Sequence, residues 1–190
     1  MDHVKIARLN ASACKCGQKY IYLFGGLDVE KNEMTDSIER YNTQLHIWTT
    51  LTQIKMPAKI SNSFAFCFDP KFILIMGGIT KKDLPNNFGG AVGLQSQNQG
   101  NSDIDMSKTF EIQNKVHVLK ITENDTKFKW KQLAPFPFKK KVGNIVYNNY
   151  GKFFCFIIEN NNRELPQLVV YDVRKVFPQF DKYHLHLQSL

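Results

Sequence analysis

The sequence predicts an all-β fold of about three four-stranded antiparallel units. Three observations carry this: runs of five apolar residues that stop on glycine pairs, a gapless internal repeat, and turn residues at hairpin spacing. The runs are "YIYLFGG" at 20–26 and "FILIMGG" at 72–78. With 190 residues, 43% of them hydrophobic and 22% charged, the chain has an ordinary globular composition and enough length for a sizeable core.

The first two strands of each unit come from the repeat. Residues 7–26 overlay 59–78 without a gap: Asn10 falls on Asn62, Ala13 on Ala65, Cys16 on Phe68, Lys19 on Lys71, Ile21 on Ile73, and Gly25 and Gly26 on Gly77 and Gly78. A third copy aligns from Lys140, with Lys152 on Lys71 and Phe153 on Phe72, and Ile158 and Glu159 replace its glycine pair. Each copy reads as two strands joined by a tight turn, centred on Gly17-Gln18, Asp69-Pro70 and Tyr150-Gly151. The second strand is apolar at nearly every position, as in a strand covered on both faces.

Two further strands follow in each copy. In the first they are 37–41 and 46–51, with a turn at 42–44; in the second, 116–121 and 127–133, with a turn at 123–126. The third has 167–173 and a weaker last strand within 182–188. Four-stranded units of about fifty residues are the sheets of a β-propeller, so the expected fold is a partial propeller with blades at 1–57, 58–138 and 139–190.

The order of glycine pair, tyrosine, tryptophan and proline resembles the kelch repeat. Gly25, Gly26, Tyr41, Trp48 and Pro57 carry it in full. The second copy has Gly77, Gly78, Trp130 and a following proline, with Leu119 near the place of the tyrosine, and the third retains Tyr171. The resemblance implies kelch-like blades stacked sheet on sheet, with paired aromatics filling the gap between neighbours. Glycine is then needed structurally, where the backbone turns to positive φ or approaches another chain segment. A phosphate cradle would need a helix after the glycines, and polar loop residues follow instead.

No catalytic, cofactor-binding or metal-binding residue is assigned. GxSxG, HExxH and paired-carboxylate motifs are absent. His3, His46, His117, His184 and His186 do not converge in sequence, and no Tyr/His/Cys set matches the copper site of oxidases with kelch-like propellers. Cys14, Cys16, Cys67 and Cys155 lie in apolar strand-like runs without zinc spacing and read as reduced core residues; Cys14 and Cys16 would share a strand face. No run nears the roughly 18 apolar residues that cross a bilayer, and the first ten residues lack a signal peptide's apolar core, so a cytoplasmic setting without membrane contact is expected.

Two features point to partners. The insertion at about 80–113, rich in Gly, Asn, Gln and Ser, reads as disordered or ordered by a partner. The net charge of +8 and the cluster Lys127, Lys129, Lys131, Lys139, Lys140 and Lys141 favour an acidic partner surface. Nucleic acid is disfavoured, because the aromatics are committed to repeat positions. Three blades also leave two apolar faces uncovered. The chain is then expected to belong to a longer protein, to complete a ring with another chain or to pack on a larger assembly, and to aggregate or unfold alone. Together with the kelch resemblance this implies a non-catalytic interaction module, a structural subunit of a cytoskeletal or ciliary complex. A ubiquitin-ligase substrate receptor is the alternative, though no BTB or F-box segment supports it; a ligand-binding or enzymatic propeller is another.

Overall fold

The computed structural model describes residues 2–82, 109–122, 126–136, 142–147, 152–157 and 167–176. The chain opens with β1 (Arg8–Leu9), β2 (Ser12–Cys16), β3 (Tyr20–Phe24), β4 (Leu27–Asp28), β5 (Glu33–Met34), β6 (Ile38–Asn42) and β7 (Ile47–Thr50). Next come β8 (Phe64–Asp69), β9 (Phe72–Met76), β10 (Ile79–Lys81), β11 (Phe110–Ile112), β12 (Val116–Thr122) and β13 (Lys127–Leu133). The last elements are β14 (Val142–Tyr147), β15 (Lys152–Ile157), β16 (Gln167–Asp172) and a single helical turn, α1 (Val173–Val176).

These strands form three main antiparallel sheets, the third with three strands among the described residues. The first sheet has the order β2-β3-β6-β7, the second β8-β9-β12-β13 and the third β14-β15-β16, with antiparallel neighbours throughout. Two small sheets, β1-β4-β5 and β10-β11, lie beyond the glycine pairs. Their strands of two or three residues are too short to leave a periodic trace in sequence, and the β10–β11 ladder joins the two ends of the 80–113 insertion. Residues 83–108, the turn at 123–125, Pro137, Lys139–Lys141, the turn at Tyr150-Gly151, and the last strand with His184 and His186 lie outside the described residues.

All five residues of β9 are buried, and alternation sends them to two cores. Ile73 and Ile75 join Tyr22, Phe24, Ile38, Leu119 and Ile121 between the first and second sheets. Phe72, Leu74 and Met76 join Val116, Val118, Phe136, Phe153 and Tyr171 between the second and third. β3 departs from the expectation of two covered faces: Tyr22 and Phe24 are buried, but Tyr20, Ile21 and Leu23 are only half-buried. Among the described residues no blade stacks on its second face.

The repeat is visible in the backbone. Asn10 and Asn62 share φ of 54° and 55°, Gly25 and Gly77 have 57° and 64°, and Gly26 and Gly78 have 91° and 96°. A Cβ on Gly25 would collide with the Ile60 carbonyl oxygen, and one on Gly26 would lie 2.7 Å from the Leu9 carbonyl oxygen. Gly26 N–H donates to that same Ile60 carbonyl at 2.9 Å. Positive φ and close approach therefore act together at this pair.

Two turns move strand boundaries away from the sequence reading. His46 stands in the turn, at φ 57°, rather than in the fourth strand. Asn42 Oδ1 accepts from the amides of Gln44 and Leu45, and His46 N–H donates back to the Asn42 carbonyl, which lengthens the turn to Thr43–His46. Val173 begins α1 instead of ending a strand: Asp172 Oδ1 accepts from the Arg174 amide and turns the chain.

The third copy also shifts by one residue. Tyr41 pairs with Ile21, Leu119 with Ile73 and Tyr171 with Phe153, so Phe153 corresponds to Ile73 and not to Phe72. A one-residue slip exchanges the two faces of a strand, and the packing of Phe153 in the core shared with the second sheet decides the register.

The N-terminal segment lies over part of the first sheet's other face. Arg8 Nη2 meets Glu39 Oε2 at 2.9 Å with side-chain exposures of 2% and 0%, and Arg8 Nη1 donates to the Gly25 and Ser37 carbonyls. Glu39 Oε1 also accepts from the Lys5 amide at 2.8 Å and from Thr50 Oγ1. Arg8→Met should destabilise the chain by about 3–5 kcal/mol by leaving Glu39 charged, buried and unmatched, whereas Arg8→Met with Glu39→Leu should recover most of that loss. Urea midpoints of the three proteins check this.

Candidate partner-binding surface

The second sheet ends in the edge strand β13, where exposure alternates. Lys127, Lys129 and Lys131 are exposed on one face, and Phe128 and Trp130 are half-buried on the other. Cross-strand register sets Lys129 opposite Lys120, and Lys127 and Lys131 opposite Thr122 and Val118. Lys120 thereby adds a fourth ammonium to the same face, a residue that the sequence reading missed because it belongs to a different strand. Directly opposed like charges repel, so this face concentrates positive potential. Lysines on an edge strand also resist strand addition. Lys139, Lys140 and Lys141 lie outside the described residues.

The repeat aromatics divide into two settings. Trp130 Nε1 donates to the Lys55 carbonyl at 2.7 Å, and the ring meets Phe24 edge to face at 6.5 Å, which fills the gap between the first two sheets. Tyr41 and Trp48 occupy the matching cross-strand positions but stack on each other, with ring centres 5.1 Å apart. The face of this pair carries Ile21 and Glu39 and, among the described residues, meets the N-terminal segment rather than another sheet, with Asp2 Oδ2 accepting from the Trp48 amide. Tyr171 does fill a gap, donating from its hydroxyl to the Ala134 carbonyl at 2.6 Å and packing on Phe136. Burial raises its pKa.

The third sheet repeats the asymmetry. Ile145, Tyr147, Phe153 and Tyr171 face the second sheet, while Val146, Phe154 and Val170 form a row on the other face. Val146, Leu168 and Val170 are 50%, 55% and 49% exposed. Alternation separates the two groups and leaves large apolar groups side by side on the outer face.

Among the described residues, no three His, Cys, Asp or Glu side chains gather as a metal site, and no helix is long and apolar enough to cross a membrane. His117 is buried on the Trp130 face, and its ring meets the indole edge at 6.3 Å. Burial first, and then the Lys115 charge, hold its pKa below the ordinary value. Burial pushes the Cys155 thiol up to about 12, as expected of a core residue.

The model of the kelch motif family matches residues 7–53, the span of β1 through β7. No curated protein matches the chain. Kelch motifs generally mediate protein–protein interaction, and the antiparallel sheets of this chain are consistent with kelch blades of a partial propeller.

Trp130→Ala should cost about 3 kcal/mol through lost packing and a freed Lys55 carbonyl, and Trp48→Ala about 1 kcal/mol; denaturant midpoints compare the two. His117 binds its proton less readily when folded than when unfolded. Its contribution to stability is therefore complete above the unfolded value of 6.5 and is lost as pH falls through that value towards the lower folded one. Melting temperatures of the wild type should fall more steeply across this window than those of His117→Gln.

Proposed function

We propose, from the premise that residues 7–53 are a kelch repeat, that this chain is a non-catalytic interaction module, a scaffold subunit of a larger assembly. One observation carries the reading. Positions packed between the first two sheets in the second copy, Ile73, Leu119 and the half-buried Trp130, recur as Ile21, Tyr41 and Trp48 on a face that no other described sheet covers. Val146, Leu168 and Val170 repeat the situation at the third sheet. Burying such side chains contributes about 1.5–3 kcal/mol each, so partner proteins that cover these faces gain directly from doing so. The lysine stripe favours an acidic surface among those partners and speeds encounter at low salt. A cytoplasmic place in a cytoskeletal or ciliary complex follows from the kelch resemblance.

The mass of the particle carrying this chain in its native lysate tests the reading. Size-exclusion chromatography with mass spectrometry of co-eluting proteins should find it in a complex well above 22.0 kDa, and a stable, folded monomer would overturn the proposal. A peak of about twice the chain mass with no other protein would make the partner a second copy. Lys127→Glu with Lys129→Glu and Lys131→Glu should weaken capture of an acidic partner at least about tenfold at low salt and much less at high salt.

A further inference from the structure

The first strands of two neighbouring blades, β2 and β8, lie side by side in a regular register. Ser12 Oγ meets Ser63 Oγ at 3.0 Å, and four residues further along both strands the Cys67 and Cys16 sulfurs stand 2.7 Å apart. Both contacts join residues 51 apart in sequence, so the two strands advance in step and bring the cysteines face to face. Cys16 and Cys67 belong to different blades. A bond between them would cross the interface that otherwise rests on packing.

Access is uneven. Cys16 lines a cleft of about 200 Å³ together with Gly17, Lys19, Tyr20 and Pro70. Cys67 is the more exposed of the two, half-buried where Cys16 is 5% exposed, and its Sγ lies 3.1 Å from the Asp69 carbonyl oxygen and 2.7 Å from Cys16 Sγ. Cys14, two residues along β2, shares the core and has the Cys67 backbone as a hydrogen-bonding partner. Its thiol is pushed up by burial and is therefore the poorer nucleophile.

We propose that Cys16 and Cys67 are a redox pair, a modification site at which a small hydroperoxide staples the first blade to the second. One thiolate of the pair attacks the outer oxygen of the hydroperoxide, the O–O bond breaks, and that cysteine becomes a sulfenic acid while the oxidant leaves as an alcohol or water. The other thiol then attacks the oxidised sulfur, the S–O bond breaks and water departs. The two thiols lose two electrons and two protons in total, and the hydroperoxide takes up both. A thiol reductant reverses the step by exchange. The sulfurs need to move only about 0.7 Å closer to reach the roughly 2.05 Å of a disulfide.

Trypsin separates the three cysteines, leaving Cys14 in the peptide 9–15, Cys16 in 16–19 and Cys67 in 60–71. Cells expressing the full chain are pulsed with hydrogen peroxide, quenched with N-ethylmaleimide, and the digested chain is mapped by mass spectrometry. The expected product is 16–19 joined to 60–71, at least about tenfold above any linkage of 9–15, and lost on treatment with dithiothreitol. Cys14→Ser should retain that product and Cys16→Ser should abolish it. A dominant bridge from 9–15, maleimide on both Cys16 and Cys67 after the pulse, or sulfinic acid at Cys16 without a bridge would overturn the proposal. The wild-type map decides it even if a variant fails to fold.

Discussion

The fold depends on the two-sided burial of β9. A sheet whose central strand is apolar on both faces cannot stand alone in water, because either face left open exposes a continuous apolar surface. Phe72, Leu74 and Met76 need the third sheet, and Ile73 and Ile75 need the first. Stacked sheets sit about 10 Å apart, a spacing that large side chains from both must fill and that the connecting chain must cross without a bulky corner. The glycine pair meets the second requirement, since Gly25 and Gly26 pass against the carbonyls of Ile60 and Leu9 at positive φ.

The same demand governs the surfaces. Each copy supplies the same apolar positions whether or not a described sheet lies against them, so a face that is core in one sheet stays more exposed in the next. The first sheet answers part of this with its own chain, where residues 2–8 lie along the face and neutralise Glu39 through Arg8. That ion pair stays inside because the Lys5 amide and the Thr50 hydroxyl donate to Glu39 while Arg8 donates to the Gly25 and Ser37 carbonyls, which satisfies both charges. Charge is segregated as cleanly as apolar area. On β13 one face holds lysines and the other holds Phe128 and Trp130, so a single strand serves both a core and a solvated surface.

Most of the architecture was legible in the residues. Four strands each in the first two copies, the β12–β13 pairing that sets Leu119 in the tyrosine's place, and the structural role of the glycines all follow from period-two alternation and turn chemistry. The misreadings share a cause. His46 was assigned to a strand because alternation says nothing about the Asn42 side chain that holds the turn. Phe153 was placed one residue away because two consecutive apolar residues fit either face equally well until the second sheet selects one. The strands β1, β4, β5, β10 and β11 are too short to carry a period at all.

By itself, then, the sequence determined the local grammar of this protein: strands, turns, the repeat and the kelch pattern, each set by contacts between residues near one another in the chain. Tertiary structure alone decided which face of each sheet meets another sheet, that Trp130 bridges two blades while Trp48 stacks on Tyr41, that Lys120 joins the lysine stripe, and that Cys16 meets Cys67 across 51 residues of chain. Identical repeats offer identical faces, and only stacking order breaks that equivalence.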